Sequence, residues 1–353
     1  MKLIVTVDTE ADNQWDYHGT VSLENLSRLP RFQALCERFG FVATYLLASE
    51  VLQDRETVRR LRRWQDEGRA EVGAHLEPWT TPPLMALEKD NPGLQIFPSA
   101  LPAPWFERKL QTLTEGIAMC FASPPRSFRA ARWGFSAPMV GALCQQGYRV
   151  DCSVTPKTSW AAERGDSVSD GPDYRRAPAT PYRLSGRDVC LPGDSGLWEA
   201  PMTVLYTGPM AREGSKAARR FSLLPESAGK RLLDRVVFRT KWLRISPASR
   251  RGDWRAIHRA ALRSGMEVLE FMIHSSELAP GTSPLTPSRS EAEGVFRRLE
   301  EMFGDFRALG VEGCTLSALA NGQKGPGDRV QGSGKKIDQA VQLEGEGGTQ
   351  AEA

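Results

Sequence analysis

The chain has 353 residues, 40% of them hydrophobic, with 46 Lys and Arg against 43 Asp and Glu for a net charge of +3. That length and apolar content can bury one large core or two small ones, and a balance so near neutral gives no electrostatic basis for a nucleic-acid partner. Met1 runs directly into "KLIVTVDTE" with no basic leader or cleavage site, and no apolar run reaches the roughly 20 residues that cross a bilayer, so the expectation is a cytoplasmic protein with no transmembrane segment.

In chain order, "LIVTVD" is a short run rich in β-branched residues and reads as a strand. "LPRFQALCERFG" then sets Pro30 near a helix start, apolar Phe32, Leu35, Cys36 and Phe39 along it, and Gly40 at the stop. "FVATYLLA" is the next strand, "DRETVRRLRRWQDEG" a helix with Asp54 as N-cap, and "AEVGAH" another strand. A helix from about Trp105 to Phe121 leads to "SFRAA", "APMVGALCQQG" to "YRVDCSV", "DWRAIHRAALRSG" to "EVLEFMIH", and "SEAEGVFRRLEEMFGDFRALG" to "EGCTLSAL". Repeated βα units argue for an α/β fold on a parallel sheet, open or closed into a barrel.

Two regions break the alternation, 82–104 and 157–252, and read as insertions at the rim of the core. From Asn321 to Ala353 the chain is rich in Gly, Gln and charge, so it is expected to be a disordered tail behind a domain of residues 1–320. The cysteines, Cys36, Cys120, Cys144, Cys152, Cys190 and Cys314, are scattered without a metal or redox spacing and read as buried free thiols. Arg212 to Arg263 is crowded with Lys and Arg against only Glu213, Glu226, Asp234 and Asp253. Solvated helix surface is the plain reading of that stretch, and peripheral contact with a membrane or an acidic glycan the functional one.

In parallel βα folds ligands gather at the carboxyl ends of strands. Here those ends carry Asp8 and Glu10, His75 and Glu77, Arg129 and Arg132, Asp151, and His274. A carboxylate at a strand end commonly caps a turn, and a lone histidine is commonly structural. Several reactive groups at one rim point instead to a site. His258, mid-helix between Arg255 and Arg259, is expected to be exposed. Trp15, Trp79, Trp133 and Trp160 fall near the rim loops, where indoles stack on sugar rings or simply pack.

Taken together, "TVDTE", "GAHLEPWTTPP", "SFRAARWGFS", "GYRVDCSVTP" and "LEFMIHSSELAPG" resemble, in order and spacing, the motifs of polysaccharide deacetylases of the NodB-homology type, most closely the WalW-like branch. The resemblance covers about Met1 to Ala320 and implies a distorted (β/α) barrel that removes an N-acyl group from a carbohydrate. It implies Asp8 as general base, His274 as acid to the leaving amine and Arg129 as the residue that orients Asp8. It also implies an oxyanion-stabilising backbone amide near Trp133, an Asp151 that helps tune the histidine, and substrate contacts from Arg132, Trp133, Asp151 and Trp79.

The metal motif departs from that pattern. The family holds zinc or a similar ion through a second aspartate and a His-x-x-x-His pair, but Thr9 and Trp79 occupy two of those three positions. Glu10 and Glu77 are the nearby alternative ligands, so that Asp8 or Glu10 with His75 and Glu77 would make the site, His75 and Glu77 projecting alike because side chains on an extended strand repeat every second residue. A set so rich in carboxylates is possible for zinc and better suited to manganese or magnesium. Three functions fit these residues: a carbohydrate deacetylase, an inactive relative that binds a glycan or regulates its synthesis, and a glycosidase with paired carboxylates such as Asp8 and Glu77. Convergence of Asp8, Arg129 and His274 on one cavity would favour the first.

Overall fold

The computed structural model of the protein describes residues 1–14, 16, 20–84, 96–161, 171–208 and 212–322. Its elements run β1 (Lys2–Thr9), α1 (Leu29–Arg38), β2 (Ala43–Leu47), α2 (Arg55–Asp66), β3 (Ala70–Leu76), α3 (Ala103–Phe121), β4 (Ser127–Ala130), α4 (Ala137–Gln145) and β5 (Val150–Asp151). After these come β6 (Tyr182–Arg183), β7 (Trp198–Glu199), β8 (Val204–Tyr206), α5 (Lys216–Ser222), α6 (Ala228–Leu233) and β9 (Thr240–Trp242). The chain then continues through α7 (Arg251–Arg263), β10 (Val268–His274), α8 (Arg289–Ala308), β11 (Glu312–Cys314) and α9 (Leu316–Gly322).

β1 is buried at every residue but its first, and β2 and β4 throughout, as expected of parallel strands covered on both faces, so that neither face alternates with solvent. The main sheet has the order β10-β1-β2-β3-β4-β5-β7-β6, parallel except where β6 closes the edge against β7. β1 is central. β10 pairs along Lys2 to Asp8 on one side, while the other side is shared by β11 at Lys2 to Ile4 and β2 at Val5 to Thr9. Gly313 makes that sharing possible, because a Cβ there would lie 2.9 Å from the Gly40 carbonyl oxygen. The sheet curls into a half-barrel of the (β/α) type, matching the architecture expected from the alternating elements.

The helices lie against the sheet by their apolar faces. On α8, Phe296, Leu299, Phe303 and Phe306 are buried at helical spacing, and the Phe303 ring packs with Phe32, Phe39, Phe41 and Phe271. Asp54 caps α2 as expected, accepting from the Glu56 and Thr57 amides.

On the other side of α8, Asp305 accepts from Arg251 and Arg255 and from the Trp254 indole N–H at 2.9 Å. Those guanidinium bonds hold its carboxyl well below the usual range although its side chain is only 4% exposed. Asp305→Asn is therefore expected to lower stability by about 2 kcal/mol near neutral pH. A depressed folded pKa gives stability that is present above the unfolded value and lost as pH falls, so the gap between the two proteins should close on acidification below about pH 4. Thermal melts across pH check this, and a gap that persists in acid would contradict it.

Three expectations are corrected. His258 is buried, because it lies four residues after buried Trp254 on the inward face of α7, its ring 6.2 Å from that of Phe306. "EGCTLSAL" is a strand only through Cys314; α9 begins at Leu316 and takes in Asn321 and Gly322, the first residues assigned to the tail. The rest of that tail lies outside the described residues. Within 157–252, β6 and β7 extend the main sheet, whereas β8 and β9 pair with each other and pack on the main core through Val204, Leu205 and Trp242, and α5 and α6 form a small outer lobe on Tyr206 and Phe238. Strands of two residues carry no readable period, which is why the sheet edge was invisible in the sequence. Four of the cysteines are buried and two half-buried, all as free thiols.

Candidate active site

Parallel register sets the reactive groups level with one another. Asp8 on β1 is the register partner of His274 on β10, and His75 on β3 that of Arg129 on β4. Their side chains line one cleft of about 300 Å³ together with Glu10, Glu77, Trp79, Arg132, Trp133, Trp160 and Arg244. That volume is at the lower end of small-molecule sites, of order 300–1,000 Å³.

Arg129 organises the floor. It is fully buried, with Nη1 donating to Asp8 Oδ1 at 2.6 Å and to Thr6 Oγ1 at 2.9 Å, Nη2 to Glu270 Oε1 at 2.6 Å, and Nε to the Cys152 carbonyl at 3.0 Å. Burial, the largest single effect, would push the Asp8 carboxyl up, but the charge and hydrogen bond of Arg129 together with the neighbouring His75 and His274 outweigh it and hold Asp8 below the usual carboxylate range. Glu270, the other partner, is pushed up by burial despite the same guanidinium.

His274 stands 3.9 Å from Asp8 Oδ2 by its Nε2. Its Nδ1 donates to Glu277 Oε1 at 2.7 Å, and Arg244 Nη2 donates to that same oxygen at 2.5 Å. Burial disfavours the imidazolium, but Glu10 and Glu277 more than offset it, so the His274 pKa is raised. Asp151 does not take this part. It is fully buried, accepts from the Ser153 amide and hydroxyl at 2.9 and 2.7 Å, adjoins Glu199, and is absent from the cleft wall. The expectation that it tunes the histidine and meets substrate is corrected: Glu277, three residues after His274, is the histidine's partner.

Glu10, His75 and Glu77 converge, with one donor atom from each lying within 4.8 Å of the others. The Arg129 carbonyl can only accept, so His75 Nδ1 donates to it at 3.2 Å, leaving the Nε2 lone pair toward Glu10 Oε2 at 3.6 Å and Glu77 Oε1 at 3.9 Å. Burial lowers the His75 pKa to about 4, so the ring is neutral near pH 7. Burial, with Asp8 nearby, raises Glu10 to about 8, and burial beside Glu50 and Glu10 raises Glu77 well above its usual value. Two carboxyls that share a hydrogen bond in a buried site, facing a neutral imidazole whose second nitrogen is fixed by a carbonyl, are a donor set that a divalent cation fits. Zinc and manganese both suit it. The loop beyond Glu77 is clamped by buried Lys109, whose Nζ donates to the carbonyls of Pro78, Thr81 and Pro83 at 2.6 to 2.8 Å.

His75→Ala is accordingly expected to abolish binding of one equivalent of manganese or zinc, and Glu77→Gln to weaken it at least about tenfold. Affinity in the parent protein should climb as pH rises toward 8, because Glu10 must release its proton to bind. Elemental analysis and calorimetric titration read both. Equal metal content in parent and His75→Ala would remove the site.

Trp79 lines the cleft and donates by its indole N–H to Gln14 Oε1 at 2.7 Å. Trp160 donates to Thr155 Oγ1 at 2.8 Å. Trp15 lies outside the described residues. Arg132 and Trp133 stand in the cleft wall with φ of 53° and 59°, two consecutive non-glycine residues in the left-handed region. Such strain costs of order 1–3 kcal/mol per residue and collects at functional sites. Glu270, Glu277, Arg244 and Lys109 escaped the sequence reading. Glu270 had a signal, since it precedes His274 by four residues on the same side of a strand, and Glu277 sat in the quoted "HSSEL". Arg244 and Lys109 had none.

No protein-family model and no curated protein matches the chain. Solved structures do. One from Mycobacterium smegmatis, provisionally described as a polysaccharide deacetylase, aligns at 16% identity over 91% of this chain and 89% of its own, with a TM-score of 0.52. A 4-alpha-glucanotransferase from Thermococcus litoralis aligns at 11% identity over 92% of this chain but only 40% of its own, with a TM-score of 0.51. A CE4 family pseudoenzyme from Bacillus anthracis aligns at 12% identity over 90% and 65%, with a TM-score of 0.40. At these identities the likeness shows the fold alone. Two different chemistries ride on it, so the reaction has to be argued from the cleft.

Proposed function

We propose that the protein hydrolyses an N-acyl amide, acetyl in the simplest case, on a carbohydrate or glycan precursor. The observation that carries this reading is the Asp8 and His274 pair. Arg129, donating to Asp8, favours the carboxylate and Glu277, bonded to His274 Nδ1, favours the imidazolium, so a base and an acid face each other 3.9 Å apart. Amide hydrolysis needs both at once.

Water attacks the acyl carbon and its proton passes to Asp8. The C–N bond breaks, and the nitrogen leaves as an amine by taking the proton on His274 Nε2. The backbone amide at Trp133, set by the left-handed pair, is the proposed donor to the oxygen that gains charge. Glu10, His75 and Glu77 would hold the divalent ion, which supplies Lewis acidity at the acyl group. Trp79 and Trp160 offer indoles at the cleft wall for the sugar. Within the deacetylases, the quoted motifs favour the WalW-like branch.

A glycosidase using Asp8 and Glu77 fits less well, because Glu77 is hydrogen-bonded to Glu10 and engaged with His75 rather than standing alone across the cleft. The test is release of the free acid from a panel of N-acetylated and N-formylated amino sugars, with and without added manganese or zinc. Metal-stimulated release supports the reading. A protein that holds metal and binds these sugars yet releases no acid would be a binding protein instead.

A further inference from the structure

We propose that the lobe carrying α5 and α6 is a docking surface for an anionic lipid bilayer. The lobe has a small core of its own, in which Tyr206, Ala218, Phe221 and Phe238 pack together with the two phenyl rings stacked at 3.8 Å. That core leaves much apolar surface uncovered. Leu223 and Leu224 after α5 are 49% and 41% exposed, and Leu232, Leu233 and Val236 are 64%, 39% and 57% exposed. Among the described residues, five of the twelve exposed large hydrophobic side chains thus fall within 223–236. Single exposed apolar residues are ordinary, but a cluster marks a contact surface.

The five belong to one unit. Leu232 and Val236 are one helical turn apart and share a face. Lys230 Nζ reaches back to the Leu224 carbonyl at 2.9 Å, fixing the start of α6 against the end of α5. Around them the charge is one-sided: Lys216, Arg219, Arg220, Lys230, Arg231, Arg235 and Arg239 stand against Glu226 and Asp234. Both acids are occupied, Glu226 by Lys230 at 2.6 Å and Asp234 by the Thr240 amide and hydroxyl. Arg219, Arg220, Arg231, Arg235 and Arg239 are exposed.

An apolar patch rimmed by cations repels a second copy of itself across a two-fold contact and complements a negative lipid surface, into which short apolar side chains insert while the arginines meet the headgroups. The lobe also connects to the cleft through β9: Trp242 packs edge-on to Trp160, and Arg244 two residues later bonds Glu277 beside His274. No helix among the described residues is long and apolar enough to cross a membrane, so the contact proposed is peripheral.

Sedimentation of the full chain with phosphatidylcholine vesicles, with and without phosphatidylglycerol, tests the surface in the absence of any substrate, so its failure and that of the amide chemistry are separable. Binding is expected only to the anionic vesicles and should weaken as salt is raised. The double variants Leu232→Ser with Val236→Ser, and Arg231→Glu with Arg235→Glu, should each lower the partition coefficient at least about tenfold. Because all four side chains are exposed, melting temperatures should be unchanged. The proposal is overturned if the full chain ignores anionic vesicles, binds neutral and anionic ones equally, or binds as before in both double variants. A dimer in solution that the Leu232→Ser and Val236→Ser pair dissociates would overturn it too, since the surface would then belong to a second copy.

Discussion

Asp8→Asn is expected to lower kcat/KM on an N-acyl sugar by about a thousandfold or more, the scale at which a positioned base contributes to proton transfer. The substitution is isosteric and removes the charge that takes the proton from water. His274→Ala should cost a similar factor by leaving the departing nitrogen without a proton donor. Base and acid serve one reaction, so the double variant should lie close to the worse single variant rather than at the product of the two losses. Steady-state kinetics on metal-loaded protein measure all three, with circular dichroism confirming that each is folded. Turnover within a few-fold of the parent in Asp8→Asn would end the assignment. Loss in Asp8→Asn with full turnover in His274→Ala would keep the base and discard the acid.

Arg129→Met should destabilise the protein by about 3–5 kcal/mol, the largest stability effect we expect of any single substitution in the cleft. Methionine fills much of the same space, so the loss is not one of packing. Asp8 and Glu270, 2% exposed each, would lose the cation that both contact at 2.6 Å and remain in a buried site. The pH dependence follows from the directions already given. In the parent, the depressed Asp8 pKa contributes stability above the unfolded value near 4 that is lost as pH falls. In the variant both carboxyls have pKa values above the unfolded ones, which costs stability at neutral pH and is relieved in acid. The two stabilities should therefore converge below about pH 4. Adding Glu270→Gln to Arg129→Met should recover part of the loss, because one of the two stranded charges is gone. Denaturant unfolding across pH measures this. A neutral-pH loss under about 1 kcal/mol would mean that Arg129 is not the counter-ion on which the site depends.

Much of the architecture was legible because it is written in local patterns. The strands β1, β2 and β10 announce themselves as largely apolar runs, β3 and β4 by their place in the alternation, and the helices between them by apolar spacing with Asp54, Pro30 and Gly40 at their ends. Placement at strand ends then brought Asp8, Glu10, His75, Glu77, Arg129 and His274 forward. A parallel sheet turns shared position along each strand into nearness in space, as the register pairs Asp8 with His274 and His75 with Arg129 show.

What the sequence determined by itself is therefore the alternation, the parallel sheet and the identity of the rim residues, all of which depend on neighbours within a few positions. Only the tertiary structure decided which rim residues work together. It buried Asp151 beside Glu199, away from the cleft, and gave His274 to Glu277 and Arg244. It turned His258 inward against Phe306 and set Lys109 under the loop that carries Glu77. It also gathered Leu223, Leu224, Leu232, Leu233 and Val236 among arginines on an outer lobe. Each outcome depends on contacts between segments far apart in the chain, on burial that a single window cannot reveal, and on charges whose effect is fixed by what surrounds them in space.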